Sequence, residues 1–161
     1  MPPVIHSLLA AAAERPPAPT GDRPRQPARR LAIVTCMDAR IDPLAALGLD
    51  VGEAHVLRNA GGRVTDDVLR SLALSTHGLG VREVGVIHHT GCGLQGLDNV
   101  ELNRQAGLAG VDFLPFTGME AGIAEDVAAL VGSGYLAAGT VVWGAVHDLD
   151  AGVVSLVPEP G

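Results

Sequence analysis

Short apolar runs constrain the fold of this chain more than any other feature. Residues 31–35, 54–57 and 84–87 are largely apolar at consecutive positions, and each run has the length of one strand. A strand is apolar at consecutive positions when both faces are buried, as in a parallel sheet covered by helices. Aromatic residues make up only 2% of the chain, so its core must consist of Ala, Val, Leu and Ile. The runs therefore predict a buried parallel sheet.

Two segments with helical spacing accompany these strands. Residues 64–79 carry apolar residues at helical intervals, with Thr65 placed as an N-cap and with Gly78 and Gly80 placed to end the helix. Residues 121–131 predict a second helix, which Gly residues also follow. Helices between strands are typical of a sheet whose strands run parallel.

The last two predicted strands, residues 140–146 and 153–157, are joined by a turn at 148–152 that predicts an antiparallel hairpin. Taken together, the elements predict an α/β fold: a parallel sheet with an antiparallel edge strand, flanked by helices. Residues 93–117 are Gly-rich, and the only element predicted there is a short helix around residues 100–105.

Proline divides the chain into two predicted parts. Seven of the eleven prolines lie in residues 1–28, which predict an N-terminal arm or tail: a short helix or tail over 1–14 and an extended linker over 15–28. The arm is either disordered or packed on a partner subunit. Residues 29–161 are predicted to form a single α/β domain.

Charge and composition narrow the class of protein. A formal charge of −7 and the scarcity of aromatic side chains argue against a nucleic-acid-binding role. No apolar run reaches the roughly 18 residues that a membrane-spanning helix needs, so no membrane partner is expected. Two cysteines are too few for a secreted disulfide framework. The expectation is a soluble, cytoplasmic protein.

Three residues at strand ends indicate a metal site. Cys36 directly follows the first predicted strand, and His89 and Cys92 follow the third in the spacing His-x-x-Cys. If the strand order is 2-1-3-4, the loops after strands 1 and 3 open onto one crevice at the carboxyl edge of the sheet. Thiolate and imidazole are good zinc ligands, and three protein ligands leave the fourth position open, as in catalytic zinc sites.

Other interpretations of these residues stay open. A single Cys after a strand is often a buried hydrophobic residue, and His-x-x-Cys occurs by chance. A structural zinc would need a fourth ligand, for which His88 and Asp38 are the candidates. His88 is the weaker of the two, because adjacent residues in a strand point to opposite faces.

Asp38 and Arg40 follow Cys36 at intervals of two residues. In an extended exit from the strand, the three side chains would project to one side. Asp38 could then bind zinc or accept a hydrogen bond from its water, while Arg40 could hold Asp38 in a bidentate pair. The alternative is an ordinary ion pair at the surface.

These motifs together resemble the β-class carbonic anhydrases. The resemblance rests on Cys36-x-Asp38-x-Arg40, on His89-Thr-Gly-Cys92-Gly placed 53 residues after Cys36, and on the loop Arg58-Asn59-Ala60-Gly61. It covers residues 30–157, and the short chain is similar to the compact bacterial members.

The resemblance implies a sheet of order 2-1-3-4 with an antiparallel edge strand, in a homodimer or higher homo-oligomer. It implies one zinc ion per chain, bound by Cys36, His89 and Cys92. The implied activity is that of a hydro-lyase, in which hydroxide generated at zinc converts carbon dioxide reversibly to bicarbonate and a proton.

By the same resemblance, Asp38 and Arg40 form the catalytic dyad, and Asn59, Ala60 and Gly61 line the substrate pocket. Within the same fold, hydrolases of carbon disulfide or carbonyl sulfide share the metal ligands, and a zinc protein without activity is a further alternative.

A dinucleotide-binding protein is a rival of a different class. Gly91-x-Gly93-x-x-Gly96 follows a predicted strand and matches the dinucleotide fingerprint, with Asp112 about 20 residues on. Too little chain remains after it for a complete dinucleotide fold.

Overall fold

The computed structural model describes residues 4–158. A five-stranded sheet in the order β2-β1-β3-β4-β5 forms its centre. The strands are β1 (Leu31–Cys36), β2 (Ala54–Asn59), β3 (Glu83–His89), β4 (Val141–Asp148) and β5 (Val153–Leu156). β1 to β4 are mutually parallel, and β5 pairs antiparallel with β4. The predicted α/β class, strand order and antiparallel edge are confirmed.

Residues 4–158 also contain five α-helices: α1 (Val4–Ala13), α2 (Pro43–Ala46), α3 (Asp66–Gly78), α4 (Asn99–Ala106) and α5 (Met119–Gly132). As predicted, Thr65 caps α3, its side-chain oxygen accepting a hydrogen bond from the Val68 N–H, and the helix ends at Gly78. α2 was not predicted; it is a single turn capped by Asp42, too short to show a helical repeat.

The two central parallel strands are buried on both faces, as the apolar runs predict. On one face, Ala32 and Val34 of β1 pack in a cluster with Leu72 of α3 and Leu130 of α5. On the other face, Ile33 packs in a cluster with residues of β3 and β4 and with the segment after α2. This arrangement fixes the carboxyl ends of β1 and β3 side by side.

The N-terminal segment is only partly held by the domain. Every side chain of α1 is exposed, as are residues 14–26 that follow it. The second half of the linker contacts the domain: Arg23 donates to Val51 O, the Arg25 carbonyl lies 3.1 Å from His55 Nε2, Pro27 is buried, and the Ala28 N–H donates to Gly52 O. Residues 1–3 of the predicted arm and 159–161 of the predicted domain lie outside the described residues. Over residues 4–158, the longest apolar helix is too short to cross a membrane.

Candidate metal centre

Three candidate ligands meet at the carboxyl edge of the sheet. Cys36 is the last residue of β1 and His89 the last of β3, and these two strands are parallel neighbours. Cys92 lies in the turn after β3. One possible ligand atom from each residue lies within 4.8 Å of the others, and all three residues are buried. The group can hold a metal ion.

His89 is oriented to offer a lone pair to that ion. Its Nδ1 lies 3.0 Å from Thr90 O, an acceptor, so Nδ1 carries the proton and Nε2 is unprotonated. Nε2 is buried and has no hydrogen-bond partner among residues 4–158. Burial also lowers the pKa of His89, which favours the neutral imidazole that binds metals. A carbonyl that orients the ring in this way is typical of metal-binding histidines.

The two cysteines also fit a cation. Both are free and buried, and burial, together with the neighbouring Cys36, raises the pKa of Cys92. Two adjacent buried thiolates repel each other, and a divalent cation between them removes that cost. Sulfur and nitrogen ligands in a set of three suit zinc better than magnesium or calcium, which prefer oxygen.

An apolar wall that the sequence analysis missed surrounds the cysteines. Ile41, Leu94 and Phe116 are buried in one cluster with Cys36 and Cys92. Leu94 and Phe116 belong to the Gly-rich region 93–117, which has no periodic pattern. A wall of this kind keeps bulk water away from one side of the site.

Asp38 and Arg40 form the bidentate pair that the sequence analysis predicts. Arg40 Nε donates to Asp38 Oδ1 at 3.0 Å, and Arg40 Nη2 donates to Oδ2 at 2.7 Å. The guanidinium holds the pKa of Asp38 far below its usual range. Asp38 Oδ2 lies 3.8 Å from His89 Nε2, so the carboxylate borders the group of ligands without belonging to it.

The predicted extended exit from β1 is wrong, although the pair forms. The Ile41 N–H donates to Asp38 O, closing a turn over residues 38–41, and the Arg40 N–H donates to Asp38 Oδ1. The short polar side chain of Asp38 stabilises this turn by bonding the backbone two residues on. The turn folds Arg40 back onto Asp38, which an extended segment would only place on the same side.

Two arginines hold the ligand-bearing loops through carbonyl oxygens: Arg40 joins the loop after β1 to the loop after β3, and Arg58 joins the loop after β1 to β2. Arg40 Nη2 donates to Gly91 O at 3.0 Å, beside Cys92. Arg58 donates from Nε to Cys36 O at 2.9 Å and from Nη2 to Asp38 O at 2.7 Å. Arg58 belongs to the motif Arg58-Asn59-Ala60-Gly61, but no role was predicted for it. The parallel register pairs Thr35 with Arg58, which is the signal for this contact.

The predicted pocket loop lies beside the ligands. Asn59 pairs with Cys36 in the register of β1 and β2, and the next residues form a 3-10 helix, Ala60–Gly62. Ala60 packs against the cluster that contains both cysteines. Gly61 has φ +75°, and a Cβ there would lie 2.6 Å from a methyl carbon of Leu94. The structure thus brings every predicted site residue to one edge of the sheet.

His88 points away from this edge, as the strand alternation predicts. Its Nε2 lies 3.0 Å from Asp126 Oδ2, and both side chains are almost completely buried. Asp126 was missed, although α5 carried a signal for it. Its buried residues Gly122, Ile123 and Leu130 lie at intervals of three and four from Asp126, so helical periodicity places this carboxylate on the core face.

The dinucleotide fingerprint lacks its structural context. In that motif a helix begins directly at the glycines, so that its N-terminus faces the pyrophosphate. Here residues 90–96 form turns, and α4 starts only at Asn99. Asp112 is engaged locally, its side chain accepting a hydrogen bond from Asn99 Nδ2.

Comparison with known proteins relates this site to one enzyme family. The carbonic anhydrase family model matches residues 31–107, which contain all three candidate ligands. β-Carbonic anhydrase 1 of Mycobacterium tuberculosis is 57% identical over 74 residues, which cover 46% of this chain and 45% of that protein. A carbon disulfide hydrolase of Saccharolobus solfataricus is 53% identical over 66 residues, covering 41% of this chain and 32% of the hydrolase. The matched part is less than half the length of either relative.

A solved structure extends the likeness over nearly the whole chain. The crystal structure of a carbonic anhydrase from Streptococcus mutans matches with a TM-score of 0.83 at 43% identity, covering 96% of this chain and 95% of that one. Identity of this size over nearly all of both chains reflects more than a shared architecture. The chain belongs to the β-carbonic anhydrase family.

Proposed function

We propose that this protein is a zinc-dependent carbonic anhydrase, which hydrates carbon dioxide reversibly to bicarbonate and a proton. The observation that carries the proposal is the group of Cys36, His89 and Cys92 beside a carboxylate, Asp38, that an arginine holds ionised. Membership of the β-carbonic anhydrase family supports it.

Each residue of the site has a role in this proposal. A zinc ion held by the two thiolates and the imidazole would supply hydroxide near neutral pH by acidifying water. Asp38 would accept a hydrogen bond from that hydroxide and so orient its lone pair toward the substrate carbon. Arg40 engages both oxygens of Asp38, which keeps the carboxylate ionised and would keep it from binding the metal.

The substrate side of the proposal rests on the apolar wall and the neighbouring loop. Carbon dioxide is small and carries no net charge, so the buried side chains of Ile41, Leu94 and Phe116 suit it better than they suit ions. In the proposal Asn59, Ala60 and Gly61 form the other side of the pocket. Asn59 Oδ1 is buried without a hydrogen-bond partner among the described residues, and it can accept a hydrogen bond from water or bicarbonate.

The test combines metal content with carbon dioxide hydration, followed by stopped flow at pH 7 and 8.5. We expect one zinc ion per chain in the wild type, loss of zinc in Cys92→Ala, and retained zinc with greatly reduced hydration in Asp38→Ala. Asp67→Ala is the matched control, since Asp67 also pairs with an arginine but lies on the exposed face of α3, outside the site. Purified, reduced protein without zinc would refute the proposal.

Carbon disulfide hydrolysis is the second candidate, and the similarity to the Saccharolobus solfataricus hydrolase favours it. The same metal and the same Asp38 could serve both substrates. Incubation with carbon disulfide and assay of the released sulfide separates the two activities. Zinc without turnover of carbon dioxide, carbon disulfide or carbonyl sulfide would indicate a zinc protein without catalytic activity.

The proposal includes a homodimer in the cytoplasm. Val4, Ile5, Leu8 and Leu9 of α1 are each more than half exposed, and an apolar helix face of this kind is typical of a subunit contact. Cys36 and Cys92 are both free, and the cytoplasm keeps thiols reduced. We expect sedimentation to give a dimer or higher oligomer, and Leu9→Glu to shift it toward monomer. A monomeric wild type would contradict this part.

A further inference from the structure

Asp126 is a buried carboxylate on the face of the sheet opposite His89. Its Oδ1 accepts a hydrogen bond from the Val64 N–H at 2.8 Å. Its Oδ2 lies 3.0 Å from His88 Nε2 and 3.4 Å from Arg63 Nη1. A carboxylate that is 3% exposed is tolerated only when it is hydrogen-bonded and neutralised. Asp126 therefore needs all three of these partners, and each of them is fixed by it.

Through His88, Asp126 is connected to the candidate metal ligand His89. His88 directly precedes His89 at the end of β3, and its side chain is completely buried. Because successive residues of a strand share one backbone and point to opposite faces, the bond between His88 and Asp126 limits rotation of the strand end about its axis. That rotation would change the direction in which His89 Nε2 points.

Through Val64, Asp126 is connected to the strand that carries Cys36. Val64 stands at the end of the segment that follows the 3-10 helix Ala60–Gly62, so its bond to Asp126 anchors this segment from behind. Gly62 lies against β1 so closely that a Cβ on it would come within 2.8 Å of the Thr35 carbonyl carbon and 2.9 Å of the Cys36 N. A displacement of the segment would therefore press on the backbone of Cys36.

Through Arg63, Asp126 is connected to the apolar wall around the cysteines. The Arg63 guanidinium carbon lies 5.6 Å from the centre of the Phe116 ring, and Phe116 packs in the cluster with both cysteines. The Arg63 carbonyl accepts a hydrogen bond from Asn59 Nδ2 at 2.8 Å. Asp126 is therefore connected to the ligand group in three ways: through β3, through the backbone of residues 60–64, and through the Arg63 side chain and Phe116.

We propose that Asp126 is a positioning residue for the metal centre, which holds His89 and Cys36 at their binding angles from the far side of the sheet. The inference rests on the proposed function in that it concerns the same metal, and it assigns Asp126 no contact with metal or substrate. The plain alternative is that Asp126 only fastens α5 to the sheet.

The test compares Asp126→Asn with Glu125→Gln. Asparagine keeps the size of the side chain and one oxygen for the Val64 N–H. In place of the carboxylate oxygen that faces His88 and Arg63 it has an uncharged NH2 group, which leaves these two partners without an oxygen acceptor. Glu125→Gln is the matched control one residue earlier, because Glu125 also pairs with Arg63 at 3.0 Å but is 64% exposed. Zinc release to a chromogenic chelator and the visible spectrum of the cobalt(II)-substituted protein are recorded for both variants.

We expect zinc release about tenfold faster in Asp126→Asn than in the control, at the low end of the effects of groups that orient metal ligands. We also expect shifted cobalt absorption bands, since those bands report the angles between ligands. Unchanged release and an unchanged spectrum, with only a lower unfolding midpoint, would overturn the proposal in favour of the plain alternative.

If Asp126→Asn does not fold, His88→Leu decides by the same two measurements, because it removes the connection through β3 and leaves Asp126 paired with Arg63 and Val64. Both measurements are made without substrate. A wild type that binds zinc but hydrates no carbon dioxide would thus refute the proposed function and leave this inference to its own test.

Discussion

Replacing Gly62 with alanine tests how closely the pocket loop approaches the strand that carries Cys36. Gly62 has φ +69°, and a Cβ built on it would lie 2.8 Å from the Thr35 carbonyl carbon and 2.9 Å from the Cys36 N. Both contacts are with backbone, which cannot rotate away as a flexible side chain can. Alanine therefore meets two separate costs at this position, one conformational and one steric.

The magnitudes of the two costs can be separated with Gly80 as a control. A left-handed φ costs a residue with a Cβ about 1–2 kcal/mol, and overpacking in a rigid environment costs about 1–3 kcal/mol. Gly80 has φ +75° with nothing within 4 Å of its Cβ position, so Gly80→Ala meets the first cost alone. The loss of unfolded-chain entropy, about 0.4–1 kcal/mol in favour of alanine, is common to both variants and cancels. We expect Gly62→Ala to lose about 1–3 kcal/mol more than Gly80→Ala.

Urea unfolding of the zinc-loaded proteins, followed by circular dichroism, measures this difference. Carbon dioxide hydration by the two variants at 25 °C gives a second comparison, in which Gly62→Ala should be impaired and Gly80→Ala should equal the wild type. Equal free energies of unfolding within about 0.5 kcal/mol would refute the close approach of the loop to β1.

Three further predictions concern charge and metal. Arg40 lowers the folded-state pKa of Asp38. The ionised carboxylate therefore contributes stability above the unfolded-state pKa, and this stability is lost as the pH falls through the folded-state pKa. Arg40→Ala should raise the folded-state pKa, so acid unfolding should begin at a higher pH. Removing the metal with a chelator should lower the unfolding temperature and let a thiol reagent react with Cys36 and Cys92. If the two thiols react as fast in the metal-loaded protein as in the metal-free protein, they are not ligands. Two thiolates cancel the charge of zinc, which makes its water less acidic than at a site of three histidines, so hydration should rise above about pH 7, and a flat profile between about pH 6 and 9 would contradict this.

The elements and ligands that local pattern encodes could be predicted from the sequence. β1 to β3 are largely apolar at consecutive positions, and Thr65 and Gly78 mark the two ends of α3. These strands and this helix can therefore be predicted without knowledge of distant residues. Cys36 and His89 could be placed together because parallel strands bring their carboxyl ends to one edge. The roles of the ligands, of Asp38 and Arg40, and of the loop Asn59–Gly61 stay predictions until the experiments above are done.

The features that sequence reasoning missed depend on contacts between distant segments. Phe116 reaches the cysteines from a segment without periodicity. Arg58 contacts the Cys36 and Asp38 carbonyls, a contact that follows from the register of β1 and β2, and that register is known only once the two strands are paired. The pair of His88 and Asp126 joins residues 38 positions apart. The turn at Asp38 was misjudged because local hydrogen bonds of an Asp side chain compete with extended backbone.

Arg58 and Arg40 hold the loop after β1 by hydrogen bonds to main-chain oxygens. Every amino acid supplies a carbonyl, so these contacts do not depend on the side chains that stand between Cys36, Asp38 and Arg40. Met37 and Ala39, the two intervening residues, are exposed. They are therefore positions where a spectroscopic label, a charge or a bulky group can be introduced next to the candidate ligand Cys36 and the Asp38–Arg40 pair while those residues stay unchanged.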